Sequence, residues 1–176
     1  LELEDAHHFN QAQLVEIESR LDRAAWERVF AVLFEHHEAF RLRFERTGEE
    51  WHQEAALPGG ELPLQFVDLA EVPAPERIAS IESEAARMQS TLDLRHGPIA
   101  RIAVFDHGEG RRQELVCVMH HIAVDAVSWP ILEQDIRQLA KAAAAGDELA
   151  LPATPTPLAA WAQRLEEYAG SREVID

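Results

Sequence analysis

The stretch LVCVMHHIAVDAVSWPIL, residues 115–132, decides how this chain is built. Its continuous apolar start predicts a strand that is buried on both faces. The strand runs into two adjacent histidines, His120 and His121, and an acid, Asp125, follows four residues after the second. An amphipathic segment then begins near Pro130 and predicts a helix. The stretch is therefore a buried strand, a loop with titratable groups and a covering helix.

Apolar periodicity on both sides of this stretch predicts the remaining elements. Alternating or continuous apolar runs predict strands at 13–17, 40–44, 64–67, 99–105 and 115–119. Helical spacing predicts helices over 22–33, 76–90, 131–143 and 158–168. Asp22 is suited to cap the first helix and Gly146 to end the third. The irregular order β-α-β-β-α-β-β-α-α favours an α/β fold (an α+β sandwich), with a mixed sheet covered by helices.

Composition limits the possible partners. The 176 residues include 32 acids and 16 bases, which gives a formal net charge of -16. Nucleic acid and anionic membranes both select clustered Lys and Arg, so we expect neither as a partner. The single cysteine, Cys117, lies in an apolar run and is predicted to be a buried thiol. Residues 1–4 show no basic start or signal core, and no apolar run is long enough to span a bilayer. We therefore predict a cytoplasmic protein.

The two histidines are candidates for acid–base chemistry. Histidine titrates near neutral pH, and a general base also needs a neighbour that fixes its orientation. Adjacent side chains on a strand point to opposite faces, so one histidine should pack inside and the other should face outward. Asp125 is available to hold local structure or to orient an imidazole, and Arg41 and Arg43 are cationic candidates for pairing with it.

The residues alone leave other interpretations open. His120, His121 and Asp125 are also consistent with a core histidine, a loop histidine and a helix-capping acid that have no catalytic role. His and Asp can bind zinc, but a closed site needs about four ligands, and the doublets His7–His8 and His36–His37 are not placed beside the motif by the sequence. Ser128 lacks the context of an activated nucleophile and is better explained as the N-cap of the helix that begins near Pro130.

Three motifs resemble the condensation-domain superfamily of nonribosomal peptide synthetases. Residues 120–126, HHIAVDA, resemble its HHxxxDG signature; residues 36–44, HHEAFRLRF, and residues 92–99, LDLRHGPI, resemble two further segments in the expected order. The resemblance implies the chloramphenicol-acetyltransferase-like fold and makes residues 1–176 the amino-terminal lobe of a two-lobed domain. The chain does not begin with Met, so we expect it to be part of a longer protein.

Other details resemble the epimerization branch. Residues 8–11 read HFNQ, residues 127–132 read VSWPIL, and residues 161–169 read WAQRLEEYA, each similar to epimerization-type segments. This branch inverts the Cα of an aminoacyl or peptidyl thioester held on the 4'-phosphopantetheine of a peptidyl carrier protein, with no metal and no directly bound cofactor. The alternatives are a peptide-bond-forming condensation domain and a non-catalytic docking module.

The resemblance also implies roles for individual residues. His121 is expected at the reaction centre and His120 in a structural role. Asp125 is expected to form a salt bridge with Arg41 that holds the loop. Ser128 and Trp129, which belong to the VSW segment, are expected to support the site. The second lobe would supply a partner glutamate, so we expect residues 1–176 in isolation to be inactive.

Two features depart from what the resemblance implies. The glycine after the aspartate is Ala126 here; if that position required a positive φ, a Cβ would cost on the order of 1 kcal/mol. Carrier domains are usually acidic, so docking to a chain of charge -16 would need a local basic patch. The candidate patches are Arg111–Arg112 and residues 41–46.

Overall fold

The structure, a computed structural model, describes residues 5–153 and 156–171. Within these ranges the strands are β1 (Asn10–Ile17), β2 (Leu42–Thr47), β3 (Glu50–Ala55), β4 (Leu64–Asp68), β5 (Ala100–Asp106) and β6 (Gln113–His120). The α-helices are α1 (Arg23–His36), α2 (Ala74–Gln89), α3 (Ser128–Ala145) and α4 (Leu158–Ala169). Short 3-10 turns cover Ala6–His8 and Glu38–Arg41. Residues 1–4, where the sequence shows no signal, lie outside the described residues.

A four-stranded mixed sheet forms the centre of the fold. Its order is β1-β6-β5-β4; β4 pairs with β5 in parallel, and the other two pairs are antiparallel. In the register of β1 with β6, Asn10 lies opposite His120 and Gln11 opposite Met119. Strands β2 and β3 form a separate two-stranded sheet. The pairing of β1 with β6 brings residues 9–11 beside the histidine motif.

Helices cover both faces of the sheet, as predicted. Helices α1 and α3 pack on one face over Ile102, Val104 and Cys117, whereas α2 packs on the other face over Ala103 and Phe105. The inner strands β5 and β6 are therefore buried on both faces, which explains their continuous apolar sequence. Large side chains such as Trp26 and Phe30 are fully buried, and each such burial stabilises the fold by about 2–3 kcal/mol. The predicted fold class, a mixed sheet covered by helices, is confirmed.

Local signals placed the boundaries of the predicted elements to within about three residues. The Asp22 carboxylate accepts a hydrogen bond of 2.7 Å from the Ala25 N–H, and Gly146 has a left-handed φ of 75° after α3. Two differences are corrections. The predicted strand at 40–44 begins at Leu42, because its first two residues belong to a 3-10 turn. Strand β3 was not predicted, because every one of its residues is exposed and it has no apolar periodicity.

Two further expectations concern burial and membranes. Cys117 is fully buried, as predicted, and burial raises the pKa of its thiol to about 12, so the thiol stays protonated at neutral pH. Among the described helices, none combines the length and apolar character that crossing a bilayer requires.

Candidate active site

His120 ends β6 and is buried, with 4% of its surface exposed. Its Nε2 donates a hydrogen bond of 2.6 Å to the Ala6 carbonyl oxygen, and its Nδ1 accepts one of 3.1 Å from the Ile122 N–H. Both ring nitrogens are therefore satisfied in the neutral form. Burial lowers the pKa of His120 below its ordinary value of 6.5. The ring ties the end of the strand to the turn that precedes β1.

His121 follows the strand and is partly exposed. Its backbone N–H donates to the Phe9 carbonyl oxygen over 2.8 Å, and the Phe9 ring stacks on the imidazole with centroids 4.9 Å apart. The Nδ1 atom lies 2.8 Å from the Val124 carbonyl oxygen. A carbonyl oxygen can only accept, so Nδ1 carries a proton, and in the neutral ring Nε2 therefore keeps its lone pair. The two histidines thus point to different environments, as strand alternation predicts.

A glutamine and a tryptophan complete the surroundings of His121. Gln11, on β1, has its amide nitrogen 3.3 Å from the His121 Nε2 atom. The amide oxygen of Gln11 accepts a hydrogen bond of 2.7 Å from the indole Nε1 of Trp129, in the first turn of α3. The structure therefore brings Gln11 beside His121 and Trp129, which lie more than 100 positions later in the chain.

Asp125 caps α3. Its Oδ1 accepts hydrogen bonds from the Val127 N–H at 3.0 Å, the Ser128 N–H at 2.8 Å and the Ser128 hydroxyl at 2.7 Å. The Ser128 hydroxyl, followed by its backbone N–H, holds the pKa of Asp125 below the ordinary carboxyl range. Ser128 is the first residue of the helix rather than its N-cap, so that prediction is wrong. The acid provides the cap, because its side chain reaches the free N–H groups of the first turn.

The expected salt bridge between Asp125 and Arg41 is also wrong. The Arg41 guanidinium donates to the Phe34 carbonyl oxygen at 3.0 Å, to that of Glu35 at 3.3 Å and to that of Ala56. Carbonyl groups at a helix C-terminus lack partners within the helix and carry partial negative charge, which explains their attraction for this cation. In the structure Arg41 closes the end of α1, away from the histidine loop.

Ala126 introduces no backbone strain. Every residue with a positive φ among those described is a glycine, so the Cβ of Ala126 meets no left-handed conformation. The side chain is exposed. Alanine at position 126 therefore carries no conformational energy cost from a positive φ.

A separate cluster joins two of the other histidines. Ligand atoms of His36, His37 and Asp135 lie within 4.8 Å of one another, and the Asp135 carboxylate is 2.9 Å from His37 Nε2. Burial lowers the pKa of His37 even though the Asp135 carboxylate opposes this shift. Three ligands are fewer than a closed zinc site requires. The short contact is explained as a hydrogen bond that ties the end of α1 to α3.

Sequence reasoning missed the roles of Phe9 and Gln11. Both lie in the HFNQ segment, which marks the resemblance to one branch but gives no contact by itself. The contact follows from the pairing of β1 with β6, which joins residues more than 100 positions apart. Asp125 and Ser128 lie together at the start of α3, and Arg41 lies elsewhere.

Comparisons with known proteins point to one family. The family model described as "Condensation domain" matches residues 2–175. A linear gramicidin synthase protein of Brevibacillus parabrevis is 37% identical over 169 residues, which are 96% of this chain and 3% of that protein. Chondramide synthase cmdD of Chondromyces crocatus is 33% identical over 94% of this chain and 4% of its own length. The chain thus spans only a small part of these relatives.

Solved structures show the same fold. The epimerization domain from the third module of tyrocidine synthetase B superimposes with a TM-score of 0.83 and 30% identity, over 95% of this chain and 36% of that one. The starter condensation domain of rhizomide synthetase gives a TM-score of 0.78 with 20% identity, over 95% of this chain and 40% of that one. Because the condensation-domain family model matches residues 2–175, the chain belongs to the condensation-domain family.

Proposed function

We propose that this chain is the amino-terminal lobe of an epimerization domain in a nonribosomal peptide synthetase. In this proposal it helps to invert the Cα of an aminoacyl or peptidyl thioester on the 4'-phosphopantetheine of a carrier protein. His121 acts as the proton-transfer group. The geometry of His121 carries the proposal, because its Nδ1 is held by the Val124 carbonyl oxygen and its Nε2 keeps a lone pair at a partly exposed position.

The chemistry requires such a base. The thioester carbonyl makes the Cα proton acidic, but its removal still needs a placed acceptor and stabilisation of the enolate oxygen. The C–H bond breaks, the proton passes to His121 Nε2, and the electron pair moves into the enolate. Return of a proton to the opposite face gives the other stereoisomer. The returning proton needs a second group, and we propose that the glutamate implied by the resemblance, in a second lobe, provides it.

The branch within the family rests on two kinds of likeness. The HFNQ segment, residues 8–11, and the VSW segment, residues 127–129, resemble epimerization domains. The 30% identity to the epimerization domain from tyrocidine synthetase B, at a TM-score of 0.83, supports the same branch. The condensation-domain structure at 20% identity supports the fold alone.

A carrier protein is the proposed partner because the proposed substrate is attached to it. The net charge of the whole chain, -16, does not favour binding to an acidic carrier protein. One candidate patch is weakened in the structure, because Arg112 pairs with Glu16 at 2.9 Å. Arg111 is exposed and is a candidate for a local contact. Arg46 is also exposed, but its Nε already donates to the Gly48 carbonyl oxygen at 3.0 Å.

The test follows deuterium at Cα. The whole domain that contains this chain is given a peptidyl thioester on its carrier in D2O, as wild type and as His121→Ala. We expect exchange in the wild type and a loss of about 100-fold or more in the variant, the usual contribution of a positioned base. His52→Ala is the matched control, since His52 is exposed on β3, and it should exchange at the wild-type rate.

Other results would contradict the proposal in different ways. Amide product on addition of an acceptor, without Cα exchange, would indicate a condensation catalyst. Neither exchange nor amide product would indicate a docking module. We also expect residues 1–176 alone to give no exchange, and measurable exchange would refute the need for a second lobe.

A further inference from the structure

We propose that Gln11 and Trp129 act as a positioning pair that holds His121 in the Nδ1–H tautomer and reserves its Nε2 as the base. The catalytic consequence of this inference rests on the proposed function. The tautomer itself does not, because it can be measured without any substrate.

The indole of Trp129 sets the direction of the Gln11 amide. An indole N–H can only donate, so the atom that faces it at 2.7 Å must be the amide oxygen. The NH2 group of Gln11 then lies on the other side, 3.3 Å from the His121 Nε2 atom. The amide cannot turn over without losing the hydrogen bond to the tryptophan.

The direction of the amide determines which imidazole nitrogen carries the proton. An NH2 group can only donate, so it is compatible with His121 only when Nε2 offers a lone pair. On the other side of the ring, the Val124 carbonyl oxygen accepts from Nδ1 at 2.8 Å and so requires a proton on Nδ1. In the neutral ring the two contacts therefore select the same tautomer.

The Gln11 contact is also incompatible with a proton on Nε2. Protonation of Nε2 would direct an N–H bond at the Gln11 NH2 group, and two donors facing each other repel. A substrate proton can therefore reach Nε2 only when the Gln11 amide moves aside.

The pair is held by the fold rather than by a flexible loop. Gln11 lies on β1, whose ladder with β6 places it opposite Met119. Trp129 lies in the first turn of α3 and packs against the main core. The Phe9 ring, 4.9 Å from the imidazole and inclined by 29°, restricts the plane of His121. Since each partner belongs to a regular element or its direct extension, the geometry is set before any substrate arrives.

Two substitutions separate this role from a merely structural one. Gln11→Glu keeps the size of the side chain and the acceptor for Trp129, but it presents a carboxylate oxygen to Nε2. Trp129→Phe keeps the aromatic packing and removes the donor, so the amide is free to turn. The matched controls are Gln53→Glu and Trp51→Phe, which make the same changes at exposed positions of β3.

The first readout is the 15N NMR signal of His121 in the whole domain with labelled histidine, assigned by comparison with His121→Gln. At neutral pH the wild type should show a protonated Nδ1 and a bare Nε2. Gln11→Glu should show both nitrogens protonated, because the carboxylate favours the imidazolium. Trp129→Phe should show a mixture, and both controls should match the wild type.

The second readout is Cα exchange as a function of pH. We expect Gln11→Glu to lose about 100-fold in exchange rate at neutral pH and to recover as the pH is raised, because the imidazolium then loses its proton. Trp129→Phe should lose about tenfold in kcat with KM unchanged, since the base is present but less often in the right form. A purely structural role would give no recovery at high pH.

The outcomes distinguish the two proposals. If the His121 signals are the same in both variants as in the wild type, the positioning inference is overturned. If the signals change as expected but the wild-type domain exchanges no Cα proton, the positioning of His121 stands and the proposed function fails. If the signals change and both variants exchange at the wild-type rate, the pair orients the ring without serving catalysis, and the inference is overturned.

Discussion

His120 and Ala6 are joined by a hydrogen bond of 2.6 Å from the imidazole Nε2 atom to the backbone carbonyl oxygen. The contact spans 114 positions of sequence and connects the end of β6 with the turn that leads into β1. It therefore holds together the two segments that present His121 and Gln11 to each other.

The neutral state of His120 predicts a dependence of stability on pH. Burial lowers its pKa in the folded state below the ordinary 6.5, so the unfolded chain binds the proton more readily. The stabilisation that comes from burying neutral His120 is fully present above pH 6.5 and is lost as the pH falls below that value. His120→Gln has no titrating group, so its free energy of unfolding should decline less between roughly pH 7 and pH 5. Urea denaturation at several pH values measures this.

The control for this experiment is His52→Gln, at an exposed position of β3. It should leave the pH dependence of the wild type unchanged. Some dependence should remain in His120→Gln, because burial also lowers the pKa of His37. Equal pH slopes for wild type and His120→Gln would refute the assignment.

Asp125 and Arg41 should act independently on stability. Asp125→Ala removes the three hydrogen bonds at the start of α3 and should lower the melting temperature, whereas Asp125→Asn, which keeps an acceptor oxygen, should lower it less. Arg41→Ala should destabilise the end of α1 through different contacts. In a double-mutant cycle measured by chemical denaturation, the two losses should add, because the residues share no contact. A clear coupling energy between the two substitutions would instead support the Asp125–Arg41 salt bridge that the resemblance implies.

Gly97 is a position where alanine should be costly. Its φ of 76° is left-handed, and a Cβ there would overlap the Arg43 guanidinium. The left-handed backbone should cost Gly97→Ala on the order of 1 kcal/mol, whereas the overlap should add little, because the Arg43 guanidinium is the end of a flexible side chain and can move aside. In an Arg43→Ala background, Gly97→Ala should therefore cost nearly as much. Gly60→Ala, with open space around it, should be close to neutral in the same denaturation measurement.

Local patterns were sufficient for the parts of the fold in which neighbours in sequence decide the outcome. The apolar run before His120 predicted a strand covered on both faces, and the position of Asp22 ahead of a helical pattern predicted its cap. Strand β3 leaves all of its residues exposed, Trp51 and Ala55 included, so its sequence has no apolar periodicity that could reveal it. Its formation depends on pairing with β2.

The site depends on contacts that no local pattern contains. Two kinds of acceptor were possible for Arg41: the carboxylate of Asp125, far along the chain, and the carbonyl groups at the end of α1. Arg41 binds the carbonyl groups, because they lie within reach of a side chain only a few residues further on. The contact between Gln11 and His121 requires the register of β1 with β6. Strand register is set by the whole sheet and cannot be derived from either segment alone.

Gln113 should be among the most sensitive polar positions in the chain. Only 2% of its surface is exposed; its amide oxygen accepts from the Leu21 N–H and the Trp26 indole, each at 3.0 Å, and its amide nitrogen donates to the Leu21 carbonyl oxygen at 3.0 Å. Gln113→Ala would leave these buried groups without partners, at about 1–3 kcal/mol each, so we expect a loss of about 3 kcal/mol in the free energy of unfolding. Gln113→Glu keeps the acceptor but turns a carboxylate oxygen toward the Leu21 carbonyl oxygen and the Asp106 carboxylate, so near neutral pH it should destabilise at least as much as alanine. The matched control Gln53→Ala, exposed on β3, should change the free energy by no more than about 0.5 kcal/mol. A loss below about 1 kcal/mol for Gln113→Ala would mean that water replaces the amide and that this buried network does not join β6 to the start of α1.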